Sequence, residues 1–310
     1  MTPRTYRRVV AVALALLCTI VVTGAAVRLT GSGLGCEDWP NCTEGDFIKV
    51  ANPNQAIEQV NRLFTGLVSL GVIAAVLGAL LRRPYRRDLV RWALGLVAGV
   101  VGQIVLGGIT VLVDLHPAAV AGHFVLSMVL VTNAVVLLHR AGTAPGPRRP
   151  VVDPTDLLLG RALLGLLALG MVTGPVVTGT GPHAGDAAAP RFDAAITTVT
   201  RVHSINMWCL LAVLLAVLVR LARSGGPAAP LRAGQRLLAV VVAQGAVGYL
   251  QYELGIPAGL VLVHVAGATA VVGLAVWWWL TLHEPLATVP DGADPHRTVP
   301  VGATDDAPPT

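Results

Sequence analysis

Eight long apolar runs decide what this chain can become. They lie at roughly 9–29, 57–81, 89–113, 118–139, 157–179, 196–222, 235–255 and 258–283. Each is close to the ~20 residues an α-helix needs to cross the hydrocarbon of a bilayer. Backbone N–H and C=O groups find no water there, so each run must satisfy its own hydrogen bonds as a helix. With 54% hydrophobic and 13% charged residues, the composition is far from that of a soluble domain. The predicted class is all-α integral membrane, with eight transmembrane helices. Arg4, Arg7 and Arg8 precede the first run, as in a signal peptide. That run exceeds a signal core and has no clear Ala-x-Ala cleavage site, so it reads as a retained helix.

The net charge of +5 does not point to nucleic acid once its placement is considered. Arginines gather at the N-terminus, at 82–91, at 140–149 and at 220–236. The alternate loops carry Glu37, Asp38, Glu44, Asp46, Asp114, Asp186 and Asp193, with few cations. The excess of cations on cytoplasmic loops then predicts that both termini are cytoplasmic in a multi-pass cell-membrane protein. Loops 30–56, 114–117, 180–195 and 256–257 would face outward, and the partner implied by the charge is the lipid bilayer.

The chain repeats itself. Gln103 precedes His123 by 20 residues, and Gln244 precedes His264 by the same 20. A shift of 141 superposes these pairs and also places Gly107 on Gly248. A shift of 142 places Asn61 on His203, and one of 150 places Thr23-Gly24 on Thr173-Gly174. Such self-similarity reads as internal duplication. Each half holds an even number of crossings, so the copies run in the same direction about a pseudo-twofold along the membrane normal. The expected architecture is two pseudo-symmetric antiparallel four-helix bundles. The first covers 1–140 and the second 157–283, joined by a cytoplasmic linker at 141–156 and followed by a disordered tail at 284–310. Glycines 95, 99, 102, 107 and 108 would allow close helix approach or leave room for a planar ligand.

An imidazole in hydrocarbon is costly without a partner, which makes intramembrane histidines functional candidates. His203 and His264 read as a bis-imidazole pair across a planar tetrapyrrole in the second half. Interhelical hydrogen bonding and a proton relay are the alternatives. In the first half His123 has Asn61 opposite, a poor iron ligand, so iron there would be five-coordinate or take another sixth ligand. Glu58, Asn61 and Arg62 share one side of a helix. Glu58 is either half of an interfacial ion pair with Arg62 or a carboxylate acting beside a reactive heme. His116 and His183 lie in outward loops, the latter with a possible role over the second site. The run Trp277-Trp278-Trp279 reads as an aromatic anchor at the inner interface. Cys18 and Cys209 read as small packing residues. Cys36 and Cys42 share an outward, oxidising loop, where a disulfide is expected. Free thiols are the alternative, and a structural or a redox-active bond fits equally.

At these residues the chain resembles the heme A synthase family of cytochrome oxidase assembly enzymes. The string from Val27 to Cys42 (Val-Arg-Leu-Thr-Gly-Ser-Gly-Leu-Gly-Cys-Glu-Asp-Trp-Pro-Asn-Cys) is the strongest match. Glu58 with Arg62, Gly107 to Val111, Val120 to Phe124, Thr180 to Asp186, His203 and Val263-His264-Val265 support it. The resemblance spans 7–283. It implies conversion of heme O into heme A, in which the C8 methyl of the porphyrin becomes a formyl group through two successive hydroxylations. It further implies heme b held by His203 and His264, heme O as substrate at His123, and Glu58 as the essential carboxylate. Cys36 and Cys42 would correspond to the family's outward cysteine pair, acting in redox chemistry or in handover from heme O synthase. The electron acceptor would be a membrane component, and a homo-oligomer is compatible with all of this. Two departures stand out: many members carry histidine where Asn61 stands, and some carry a second cysteine pair where 180–195 has none. The rival readings are a non-catalytic membrane cytochrome b, which would only transfer electrons, and a transporter.

Overall fold

In a computed structural model describing residues 1–36, 39–43 and 50–286, the chain forms eight helices. They are α1 (Pro3–Leu29), α2 (Pro53–Leu81), α3 (Arg87–Leu112), α4 (Pro117–Ala141), α5 (Pro154–Thr180), α6 (Ile196–Arg223), α7 (Ala228–Glu253) and α8 (Ala258–Thr281). Glu37, Asp38, Glu44, Asp46, His296 and most of the expected tail lie outside the described residues. Several helices begin before the apolar runs do. Proline opens α1, α2, α4 and α5, where its missing N–H costs nothing. The side chains of Thr2 and Asn52 cap the first two by accepting from Thr5 N and Gln55 N.

Seven of these helices are long and apolar enough to cross a membrane, which makes the protein multi-pass. The exception is α7, expected as an eighth crossing. It is 26 residues long, but Arg232, Gln235, Arg236, Gln244, Gln251 and Glu253 dilute its apolar character.

The helices pack in two closed circuits: α1 on α2, α2 on α3, α3 on α4 and α4 on α1, then α5 on α6, α6 on α7, α7 on α8 and α8 on α5. The circuits meet where α4 packs on α8 and α5, and α1 packs on α8. Valines fill this seam, with Val131, Val135 and Val136 of α4 in one cluster with Val271, Val272 and Val276 of α8. Lipid is as apolar as valine, so close fit rather than water exclusion holds such a seam together.

Three expectations change. Part of the linker is ordered: β1 (Arg148–Pro150) pairs antiparallel with β2 (His283–Pro285), and Arg149 bonds Glu284 at 2.7 Å. The tail was expected to begin at 284, yet its first residues are held here because an extended segment found an edge to pair with. Trp278 is no interfacial anchor, since it is fully buried beneath α7 against Gly234. Its neighbour Trp277 meets His139 edge-on, with centroids 5.1 Å apart. Cys209 faces outward rather than packing inward.

Candidate functional site

The even-numbered helices α2, α4, α6 and α8 begin at one end of the molecule, and each presents its candidate residue about two turns in. His123 is six residues beyond Pro117, His264 six beyond Ala258, His203 seven beyond Ile196 and Asn61 eight beyond Pro53. At 1.5 Å per residue these depths agree to roughly 3 Å. In each circuit the two candidates sit on diagonal helices, α2 with α4 and α6 with α8.

Every histidine of this set lies on a glycine of the preceding helix. A Cβ on Gly107 would stand 3.3 Å from the His123 ring, one on Gly174 3.4 Å from His203, and one on Gly248 3.1 Å from His264. Larger residues would push each ring off its present place. The two glutamines repeat a single contact: Gln103 Nε2 donates to the carbonyl of His123 at 3.1 Å, and Gln244 Nε2 to that of His264 at 2.7 Å. A second contact repeats with a change of residue. Thr173 Oγ1 lies 2.9 Å from His203 Nδ1, and Thr23 Oγ1 donates to Asn61 Oδ1 at 2.8 Å. Asn61 therefore takes the place of a histidine in the first half, with its carbonyl oxygen already occupied.

These donors suit a metal that brings its own equatorial ligands. Among the described residues no three His, Cys, Asp or Glu converge, so the histidines alone do not form a site for a bare metal ion. Nδ1 of His123 and Nδ1 of His264 are buried without a hydrogen-bond partner among the described residues. An unpartnered buried polar group costs about 1–3 kcal/mol. His203 is different, because Thr173 fixes its Nδ1 and thereby its ring orientation. Losing such an orienting contact weakens metal binding by about 10–100-fold. Thr173→Val is accordingly expected to lower retained heme in the purified protein, and a heme titration followed by absorbance measures it.

Glu58 forms the ion pair with Arg62 that was one of its two readings from sequence. It is buried, at 6% exposure, and both carboxylate oxygens are engaged. Oε1 accepts from Arg62 Nε at 3.0 Å and Nη2 at 2.6 Å, and Oε2 accepts from Cys36 N at 2.8 Å. Arg62 Nη1 in turn donates to Asn41 O at 3.0 Å. Carboxylate and guanidinium together hold both ends of the loop that the Cys36–Cys42 disulfide closes. That loop presses onto the start of α2: a Cβ on Gly35 would meet Asn54 O at 2.5 Å. Its Trp39 ring lies over Gly108 of α3, one residue from the glycine that seats His123. The loop thus caps the His123 end of the first circuit.

The two loop histidines make different contacts. His183 Nε2 lies 2.8 Å from Ile256 O, joining the α5–α6 loop to the α7–α8 turn. His116 is exposed and caps α4, with Nδ1 accepting from Ala118 N at 3.4 Å. The threonine partners of Asn61 and His203 were not singled out from sequence, although the shift of 150 that aligns them was visible.

Comparison with known proteins shows which family the chain resembles. A heme A synthase of Rhizobium etli is 23% identical over 93% of this chain and 90% of its own length. Heme A synthases of Listeria welshimeri and Bacillus pumilus are 31% and 29% identical, over 40% and 44% of the chain. The chain spans less than half the length of these two (42% and 45%). The family described as cytochrome oxidase assembly protein (COX15-CtaA) matches residues 7–54 and 46–276. With nearly all of its helical part covered, this chain belongs to that family of cytochrome oxidase assembly proteins.

Proposed function

We propose that the protein is a heme A synthase, oxidising the C8 methyl of heme O to a formyl group by successive hydroxylations. Its product would supply cytochrome c oxidase. The observation that carries this reading is the unequal repeat, in which Thr173–His203 has Thr23–Asn61 as its counterpart. The second half offers two imidazoles on diagonal helices and the first offers one. The repeated contacts also support two antiparallel four-helix bundles related by a pseudo-twofold, with α7 as an eighth crossing and both termini cytoplasmic in the cell membrane.

In the second bundle His203 and His264 would hold heme b, which supplies one-electron transfer when bound. Thr173 orients the first of these rings, and Gly248 sets the position of the second. In the first bundle His123 would hold the substrate, heme O. Asn61, with its oxygen bonded to Thr23, leaves the opposite side without an imidazole. The disulfide loop, held by Glu58 and Arg62, would close over that substrate and limit water. Heme O synthase would deliver the substrate at this face, and a membrane component would accept the electrons. A non-catalytic cytochrome would need two equivalent six-coordinate sites, which Asn61 does not provide.

The test is to purify the protein, record its absorption spectrum, extract the heme and determine its mass. Heme b together with traces of heme O or heme A is the expected result. Heme b alone would favour a cytochrome, and colourless protein would refute the assignment.

A further inference from the structure

At the end of the first bundle where α1 and α3 begin, cations far outnumber acids. Arg86 grips Asp88 through Nε at 3.0 Å and Nη2 at 2.6 Å, and its Nη1 donates to the carbonyls of Arg140 and Thr143. Arg140 Nη1 is 3.7 Å from the same carboxylate, and Arg148 Nη2 donates to Thr143 Oγ1 at 2.7 Å. Arg7 packs against Gly142, where a Cβ would stand 3.1 Å from its Nε. Arg82, whose Nη1 donates to Pro84 O, adds a fifth guanidinium at this end. Asp88 can neutralise only one of these five.

The matching end of the second bundle is also basic, through Arg223, Arg232 and Arg236, but its acids are placed differently. There Arg220 has two acids, Asp156 at 2.6 Å and Asp153 at 3.6 Å. The first bundle also leaves donors over: Nε of Arg82, of Arg140 and of Arg148, and Nη1 of Arg148, are buried without a partner among the described residues. Burial first, and then the guanidinium groups of Arg140 and Arg86, push Arg148 below the ordinary arginine value. Arginine does not shed its proton in a protein, so only an added anion can relieve this crowding.

We propose that Arg7, Arg140 and Arg148, backed by Arg82 and Arg86, form a binding site for the phosphate of an anionic phospholipid. Basic pockets between transmembrane helices at a membrane face recognise such head groups. Arg7 is exposed and Arg140 keeps 29% of its side chain open, which gives the phosphate a way in. Leu80 and Leu81, next to Arg82, are exposed and offer apolar surface to acyl chains. A free phosphate shares the charge but would gain nothing from that surface.

Full-length protein, stripped of lipid in detergent, is titrated with phosphatidylglycerol, with phosphatidylcholine and with inorganic phosphate, and bound adducts are counted by native mass spectrometry. Preferential retention of phosphatidylglycerol is expected, about twentyfold weaker in Arg140→Gln/Arg148→Gln. Arg87→Gln/Arg91→Gln removes the same charge from exposed positions nearby and should retain the lipid. Equal loss in both double variants would overturn the site in favour of diffuse surface charge. Inorganic phosphate binding as tightly as phosphatidylglycerol would overturn the lipid as its occupant. If the first double variant loses helicity, Arg7→Gln, which removes an exposed side chain, decides instead by the same readout.

Discussion

Replacing His264 with alanine is expected to remove the low-spin heme spectrum from the purified protein and to reduce heme A formation to background. The ring it deletes sits on Gly248 with Nδ1 unpartnered, so it has little structural work whose loss could mimic this effect. Only the imidazole of His203 would remain to hold the heme, which would then be retained loosely. His203→Ala should behave likewise. His123→Ala should differ, keeping the low-spin spectrum of the second bundle while making no product. Absorbance spectra of the three variants, with mass analysis of extracted heme, check this pattern. A normal spectrum in His264→Ala would end the assignment of heme b to the second bundle.

The second large effect is expected at Glu58. Glu58→Ala should abolish formyl product while the second bundle keeps its heme. It should also loosen the disulfide loop, because Arg62 and Cys36 N lose a buried partner. Breaking a buried ion pair by removing one member costs about 3–5 kcal/mol. Faster reduction of Cys36–Cys42 by an added thiol would report that loosening. Arg62→Gln separates the two roles that Glu58 can play. If the carboxylate acts only through the loop, Arg62→Gln should lose product and expose the disulfide to the same degree. If the carboxylate also acts on substrate, Glu58→Ala should be the more damaging for product, with disulfide exposure similar in the two.

Much of this architecture was legible in the residues because the bilayer leaves few choices. Apolar runs near 20 residues had to be helices, and the helices lie where those runs do. Their starts were less legible, because proline and capping residues such as Asn52 carry the helix beyond the apolar stretch. In α7 the glutamine that marked the repeat, Gln244, is also one of the residues that dilute its apolarity. The glutamine–histidine spacing corresponded to a real contact, Gln244 Nε2 to the His264 carbonyl. Glu58 and Arg62 could be paired from their i,i+4 spacing alone. That Cys36 N occupies the other oxygen could not be read, since it depends on how the loop folds back onto α2. The arginine surplus showed in sequence only as clusters in alternate loops; its concentration on one carboxylate needed helix ends brought together in space.

The valine seam between α4 and α8 bears on how the molecule is made. Val131 and Val135 belong to the fourth helix to leave the ribosome, and their partners Val271 and Val272 to the last. In water such a wait would invite aggregation, but inside lipid a bare valine face is as comfortable as a covered one. The first bundle can therefore insert and wait, and a chain severed within 141–147 should reassemble when its two fragments are synthesised together.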